Sequence, residues 1–264
     1  TYKPCYGDEK MKLNDFIAAM ETIAPKELAC SWDNPGLLIG TEKAEISKVL
    51  VALDCSVQTA KEAIEWGADL LLTHHPVFFG GVKRIAPDDP DTAGAYMLIR
   101  NGIGLFAAHT NLDSADGGVN DCLAEVLGLQ NIEKLLPDNL GRIGMLSSPM
   151  PFIDLARAVE QKLGTRVRIT GGDNTAVQRI ALVGGSAADE LFAAKAAGAD
   201  AFITGEMKHH LAIQADAMGL CIVEAGHYET EKVVLQPLIS RLQAITNDVQ
   251  YKLTRSESAC LRGI

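Results

Sequence analysis

All six histidines of the chain fall in four short clusters, and each cluster follows an apolar run that reads as a buried strand. His74 and His75 follow "ADLLLT", and His109 follows "IGLFAA". His209 and His210 come just after "ADAFITGEMK", and His227 follows "LCIVEAG". Two carboxylates stand close by in sequence, Asp113 in "HTNLD" and Glu231 in "GHYETE". Imidazoles gathered with carboxylates bind transition metals or move protons. Three histidines and two carboxylates are too many for one tetrahedral structural zinc. They suit two divalent ions about 3.5–4 Å apart, bridged by a carboxylate or a solvent oxygen. Zn, Fe, Mn, Co and Ni all accept such a set.

Each cluster has a plainer reading of its own. A His-His pair after a strand can be a hydrogen-bonded pair, and "HTNLD" can be a turn held by Asn111 and Asp113. "GHYETE" can be a helix start whose acidic residues complement the dipole. His209 and His210 can be solvated. Taken together, these readings need four independent accidents at equivalent strand ends. The metal reading needs one site. Within it, His109 is a candidate for proton transfer or for orienting a ligand. Glu206 and His210 are candidates to contact a substrate, with hydrogen-bonded pocket lining as the alternative.

The positioning elements follow from pattern. An α/β protein gathers the carboxyl ends of its strands along one edge, where ligands bind. Adjacent side chains of a strand face opposite ways, so His74 and His75 converge only where the strand ends, and Pro76 helps to end it. Asn14 is the expected cap of a first helix. "PFIDLARAVEQKLG" is a helix started by Pro151 and stopped by Gly164. "VRITGGDNTAVQRIALV" reads as two strands paired through a Gly-Asp-Asn turn. "DVQYKLTRS" reads as an edge strand. His227 and Glu231 share a helical face at i,i+4, although Pro237 argues against one straight helix running on from them.

The chain also repeats itself. Residues 48–75 lie on 179–206 without a gap, which sets Gly67-Ala68-Asp69 on Gly198-Ala199-Asp200 and Thr73 on Thr204. "NGIGLFAAH" resembles "MGLCIVEAGH". The expected architecture is therefore layered α/β, built from two internally duplicated halves. Residues 1–10 read as an extension. The first half takes 11–137, completed by 235–264, and the second half takes 138–234.

Composition narrows the function. The 264 residues are 47% hydrophobic and 22% charged, with a net charge of −10. That charge argues against a surface built for nucleic acid. No apolar run nears the ~20 residues of a membrane helix, and no secretory signal is visible. Six scattered cysteines without a CxxC pair fit reduced thiols in a cytoplasmic protein.

Five segments in order, "SWDNPGLLIG", "LLLTHHPVFF", "AAHTNLDSADGGVND", "FITGEMKHH" and "EAGHYETE", resemble the NGG-interacting-factor-three-like proteins, also called GTP cyclohydrolase I type 2 homologs. The resemblance runs from about residue 11 to the end. It implies an α/β architecture of two interlinked, internally duplicated α/β domains in a layered α/β/α arrangement, a dinuclear metal site of His74, His75, Asp113, His227 and Glu231, and a ring-shaped homohexamer. Two such ions would lower the pKa of a bridging water and polarise the bond to be attacked, so the leading reading is a metal-dependent hydrolase of a nucleotide-like or cyclic amide small molecule. The alternative is a non-catalytic protein that stores or delivers metal or scaffolds a partner.

Overall fold

The apolar runs at 49–52, 70–72 and 105–107 are buried on both strand faces, as strands are when helices cover both sides of a parallel sheet. The computed structural model describes residues 10–42 and 44–261. The extension expected over 1–10 lies outside these residues for all but Lys10. The strands are β1 (Met11–Lys12), β2 (Gly36–Ile39), β3 (Glu45–Ile46), β4 (Lys48–Ala52), β5 (Leu70–Thr73), β6 (Gly104–Ala107), β7 (Gln130–Lys134), β8 (Arg142–Pro151), β9 (Arg168–Thr170), β10 (Ala176–Val183), β11 (Ala201–Thr204), β12 (Cys221–Glu224) and β13 (Gln250–Leu253). The helices are α1 (Leu13–Ile23), α2 (Val57–Trp66), α3 (Ala93–Arg100), α4 (Thr110–Ser114), α5 (Val119–Leu127), α6 (Phe152–Leu163), α7 (Leu191–Ala196), α8 (His209–Ala217), α9 (His227–Glu231) and α10 (Leu235–Ile245).

Two compact units result. The first takes the described residues up to Lys26, then Ser31–His109 and Leu238–Glu257. The second takes Glu27–Cys30, Thr110–Pro237 and the described residues from Ser258 on.

In the first unit the sheet order is β13-β4-β5-β6-β2. Leu50, Ala52, Leu71 and Leu105 face α2 and α3 through Ala60, Ala63 and Leu98. On the other face Phe16 of α1 meets Phe106 edge-on at 5.9 Å. The "DVQYKLTRS" segment is an edge strand as expected, pairing parallel to β4. Asn14 is not the cap of α1. It lies inside the helix, whose cap position is Lys12. Backbone carbonyls do the capping: Leu13 N donates to Ala44 O at 2.7 Å and Asn14 N to Glu42 O at 3.1 Å.

In the second unit the order is β7-β8-β10-β11-β12-β9. Strand alternation divides its core in two. Ile180, Leu182, Ala201, Ile203 and Val223 pack with α5 and α6. Ala181, Val183, Phe202 and Ile222 pack with α7 and α8. Each unit is thus a sheet between helices. The expected hairpin of β9 with β10 does not form. Both edges of β10 are taken by β8 and β11, and β9 pairs antiparallel to β12. Gly171 (φ +124°) permits the crossing, because a Cβ there would lie 2.8 Å from Cys221 Sγ.

The repeat holds at the level of register. Val49 aligns with Leu70 and Ile180 with Ala201, each 131 positions apart (180 − 49 and 201 − 70). Leu70 aligns with Gly104, as Ala201 does with Cys221. Asp69 Oδ2 accepts from Ser47 N and Lys48 N. Asp200 Oδ2 accepts from Gln178 N and Arg179 N at the equivalent positions. The Gly-Ala-Asp motif therefore ties the start of each middle strand to the start of the strand before it.

Two ionic contacts secure outlying segments. Arg142, only 2% exposed, donates to Asp121 and to the carbonyls of Asn139, Gly141 and Ala115. A buried guanidinium needs such a full set of acceptors. Glu62 of α2 accepts from Lys252 Nζ at 2.8 Å, Thr254 Oγ1 at 2.7 Å, Arg255 N and Ser256 N. Burial would raise the Glu62 carboxyl, but these donors outweigh it and hold its pKa at about 2, below the ordinary 4.5. A depressed carboxylate pKa stabilises the fold above the unfolded value, and the contribution is lost as pH falls through the folded one. Glu62→Gln should therefore lower stability at neutral pH by about 1 kcal/mol, a figure discounted for solvent around the carboxylate. The gap to wild type should narrow between pH 4.5 and about 2. Urea midpoints of both proteins across that range check this, and a gap independent of pH would refute it.

Candidate metal centre

In the first unit three imidazoles meet beyond the ends of β5 and β6. Thr73 Oγ1 donates to His75 O at 2.8 Å, which turns the chain as β5 ends. The ring centroids of His74 and His75 lie 4.9 Å apart. His109 is 5.2 Å from His74 and 5.5 Å from His75. One ring nitrogen from each of the three lies within 4.8 Å of the others, so this group could hold a metal ion.

The second nitrogen of each ring is engaged elsewhere. His74 Nδ1 is 2.8 Å from Ala108 O. A carbonyl only accepts, so Nδ1 carries a proton, and the buried Nε2 is the atom that could face a metal. His75 Nδ1 meets Asp54 Oδ1 at 2.9 Å, and His109 Nδ1 meets Asp33 Oδ1 at 2.9 Å. Asp54 lies two residues past the end of β4 and is itself held: Glu257 accepts from Leu53 N at 2.8 Å and from Asp54 N at 2.7 Å. Burial pushes the Glu257 carboxyl above its ordinary value, against the pull of these two N–H donors.

The second unit repeats the device with a carboxylate. The turn of α9 puts His227 Nε2 3.1 Å from Glu231 Oε1, and Glu206 Oε1 meets His227 Nδ1 at 2.9 Å. The i,i+4 expectation is met. A 3-10 turn (Lys232–Val234) separates α9 from α10. Pro237 falls in the first turn of α10, where its missing N–H costs no helical bond. Gly185 (φ +66°) makes room, since a Cβ there would sit 2.2 Å from Glu231 Oε1 and 3.4 Å from His227 Nε2. Asp113 is half-buried on α4, and Asn120 Nδ2 donates to its carbonyl at 3.0 Å. His210 is exposed with His209 in the first turn of α8. Glu206, a substrate-contact candidate, is engaged with His227.

A family model described as Duf34/NIF3 (NGG1p interacting factor 3) matches residues 11–259. The chain belongs to the NIF3 family. It is 37% identical over 253 residues to a Clostridium perfringens protein named GTP cyclohydrolase 1 type 2 homolog, covering 93% of this chain and 97% of that one. A Streptomyces coelicolor protein of the same name is 39% identical, with 83% and 81% covered. Among solved structures, a Bacillus cereus protein related to NIF3 superposes with a TM-score of 0.91 at 26% identity, covering 97% of this chain and all of that one. Staphylococcus aureus protein SA1388 gives 0.88 at 30% identity, covering 97% and 100%.

The donors of this NIF3 chain fit a transition metal. An imidazole held through one nitrogen by a carbonyl or carboxylate offers the other as a fixed, more basic ligand. The sequence reading missed the holders Asp33, Asp54 and Glu257, and the space left by Gly185. Asp33 lies in the "SWDNPG" loop and Asp54 just past an apolar run, positions from which a carboxylate can reach a strand-end histidine. Nothing in the sequence pattern marks Glu257. Asp54→Ala should leave the fold intact and weaken Zn2+ binding roughly 10–100-fold. Competition with a chelator measures this, and unchanged affinity would show that Asp54 does not position His75.

Proposed function

We propose that this NIF3 protein holds two divalent ions through His74, His75, Asp113, His227 and Glu231, and uses them to hydrolyse a nucleotide-like or cyclic amide small molecule. One observation carries the reading. His74, His75, His109 and His227 each have Nδ1 against an oxygen, which makes Nε2 the atom each would present to an ion, that of His227 beside Glu231 Oε1. Structural histidines have no need of such uniformity. Zn, Fe, Mn, Co and Ni all suit this donor set. Ions bound there would supply Lewis acidity and lower the pKa of water.

The rest of the chemistry belongs to the chain. Asp54 and Glu206 fix the planes of His75 and His227. Asp33 fixes His109, whose ring stands beside His74 and His75 and can pass a proton to or from the reacting group. Asp113 has a short side chain just past the His109 turn, which suits a carboxylate shared by both ions. A protein that only stores or delivers metal would use the same ligands, but it would not need a proton-transfer histidine.

Metal analysis and turnover test this together. The loaded wild type should carry two ions per chain and lose activity on chelation. Asp113→Ala should lose more than one ion. His109→Ala should keep both and lose turnover by about 10²–10⁴-fold. Two ions retained in Asp113→Ala, or both lost in His109→Ala, would overturn these roles. Two ions with no metal-dependent turnover across nucleotides, phosphoesters and cyclic amides would leave the storage reading.

A further inference from the structure

Two large aromatic side chains stand exposed beside His109. Trp32 is 61% exposed and Phe79 54%. They come from separate loops, which Asn34 Nδ2 ties together by donating to Phe78 O at 2.8 Å. Their ring centroids are 6.3 Å apart, tilted by 34°. Both rings meet His109 edge-on, Trp32 at 5.9 Å and Phe79 at 5.6 Å. A cleft of about 300 Å³ is lined by Phe79 together with Lys83, Arg84, Asp89, Asp91 and Thr92.

Exposing this much aromatic surface is unfavourable unless something covers it. The neighbourhood narrows the occupant. An apolar protein face would strip water from the charged groups of the cleft, which is costly. A planar heteroaromatic ring with a polar tail suits both parts. Its face stacks on the aromatic pair, and its tail lies among the charged and hydroxyl groups of the cleft. Every nucleobase-like ring has a π-face for such a platform.

We infer that Trp32 and Phe79 form the platform on which a planar heteroaromatic ring of the substrate stacks, beside His109. This deepens the hydrolase reading and rests on it for the reaction. The stacking itself needs no metal, so the two can fail separately.

The test uses the full chain. Its tryptophans are Trp32 and Trp66, so Trp66→Phe makes Trp32 the sole reporter. Guanosine monophosphate is titrated against this protein, both metal-loaded and chelator-treated, with ribose 5-phosphate as the ringless control. Saturable quenching by the nucleotide in both forms, and none by the control, is expected. Phe79→Ala should weaken the nucleotide roughly tenfold or more. If Trp66→Phe folds poorly, wild type compared with Trp32→Phe isolates the same signal. No saturable quenching, equal quenching by the control, or an unaffected Phe79→Ala would overturn the platform. So would shielding of ligand-free Trp32 from acrylamide, since a second copy of the chain would then be its occupant. Quenching without metal-dependent turnover would leave the platform standing and remove the hydrolase.

Discussion

The candidate centre depends on one interaction made four times, a ring Nδ1 held against a fixed oxygen at the end of a strand. An imidazole on a free loop can rotate and can present either nitrogen. Here Ala108 O, Asp54, Asp33 and Glu206 remove that choice. Two of the anchors are tied to the ends of the first unit's strands. Ala108 N donates to Thr73 O across the ends of β5 and β6. Asp54 is bound through its own backbone by Glu257. Metal affinity in this account comes from preorganisation, and ring orientation is set by these four oxygens before any ion arrives.

The duplicated scaffold shows how one frame can serve two chemistries. Asp69 and Asp200 make the same backbone contacts in the two units, and the middle strands keep the same register. The side chains at the strand ends have diverged. At the 131-residue offset (206 − 75), His75 corresponds to Glu206, and Asp54 corresponds to Gly185 (185 − 54). The first unit uses an aspartate to hold a histidine that comes from β5. The second uses Glu206 to hold a histidine that follows β12, and it leaves position 185 without a side chain so that Glu231 can fit.

Much of this was legible in the sequence because it is local. Apolar runs ending in Thr-His-His or in Gly-His give strand ends, and the i,i+4 spacing of His227 and Glu231 gives a shared helical face. The ungapped repeat foretold equal register. What was not legible depends on long-range contacts. Asp33 reaches His109 across 76 residues, and Glu257 reaches Leu53 across 204. The capping of α1 by residues 42 and 44 displaced Asn14 from that role. The placement of β9 beside β12 turns on which edges of β10 were already filled, and no turn motif encodes that. Trp32 and Phe79 were visible as residues, but their approach to His109 was not.

The central claim is that Nε2 atoms and carboxylates, with Nδ1 held elsewhere, bind two ions. Anomalous diffraction from crystals of the Zn2+-loaded protein addresses it most directly. The account predicts two zinc peaks per chain, about 3.5–4 Å apart, with His74, His75 and His227 bound through Nε2 and Asp113 shared between the ions. A single ion, coordination through any Nδ1, or zinc bound away from these residues would contradict it.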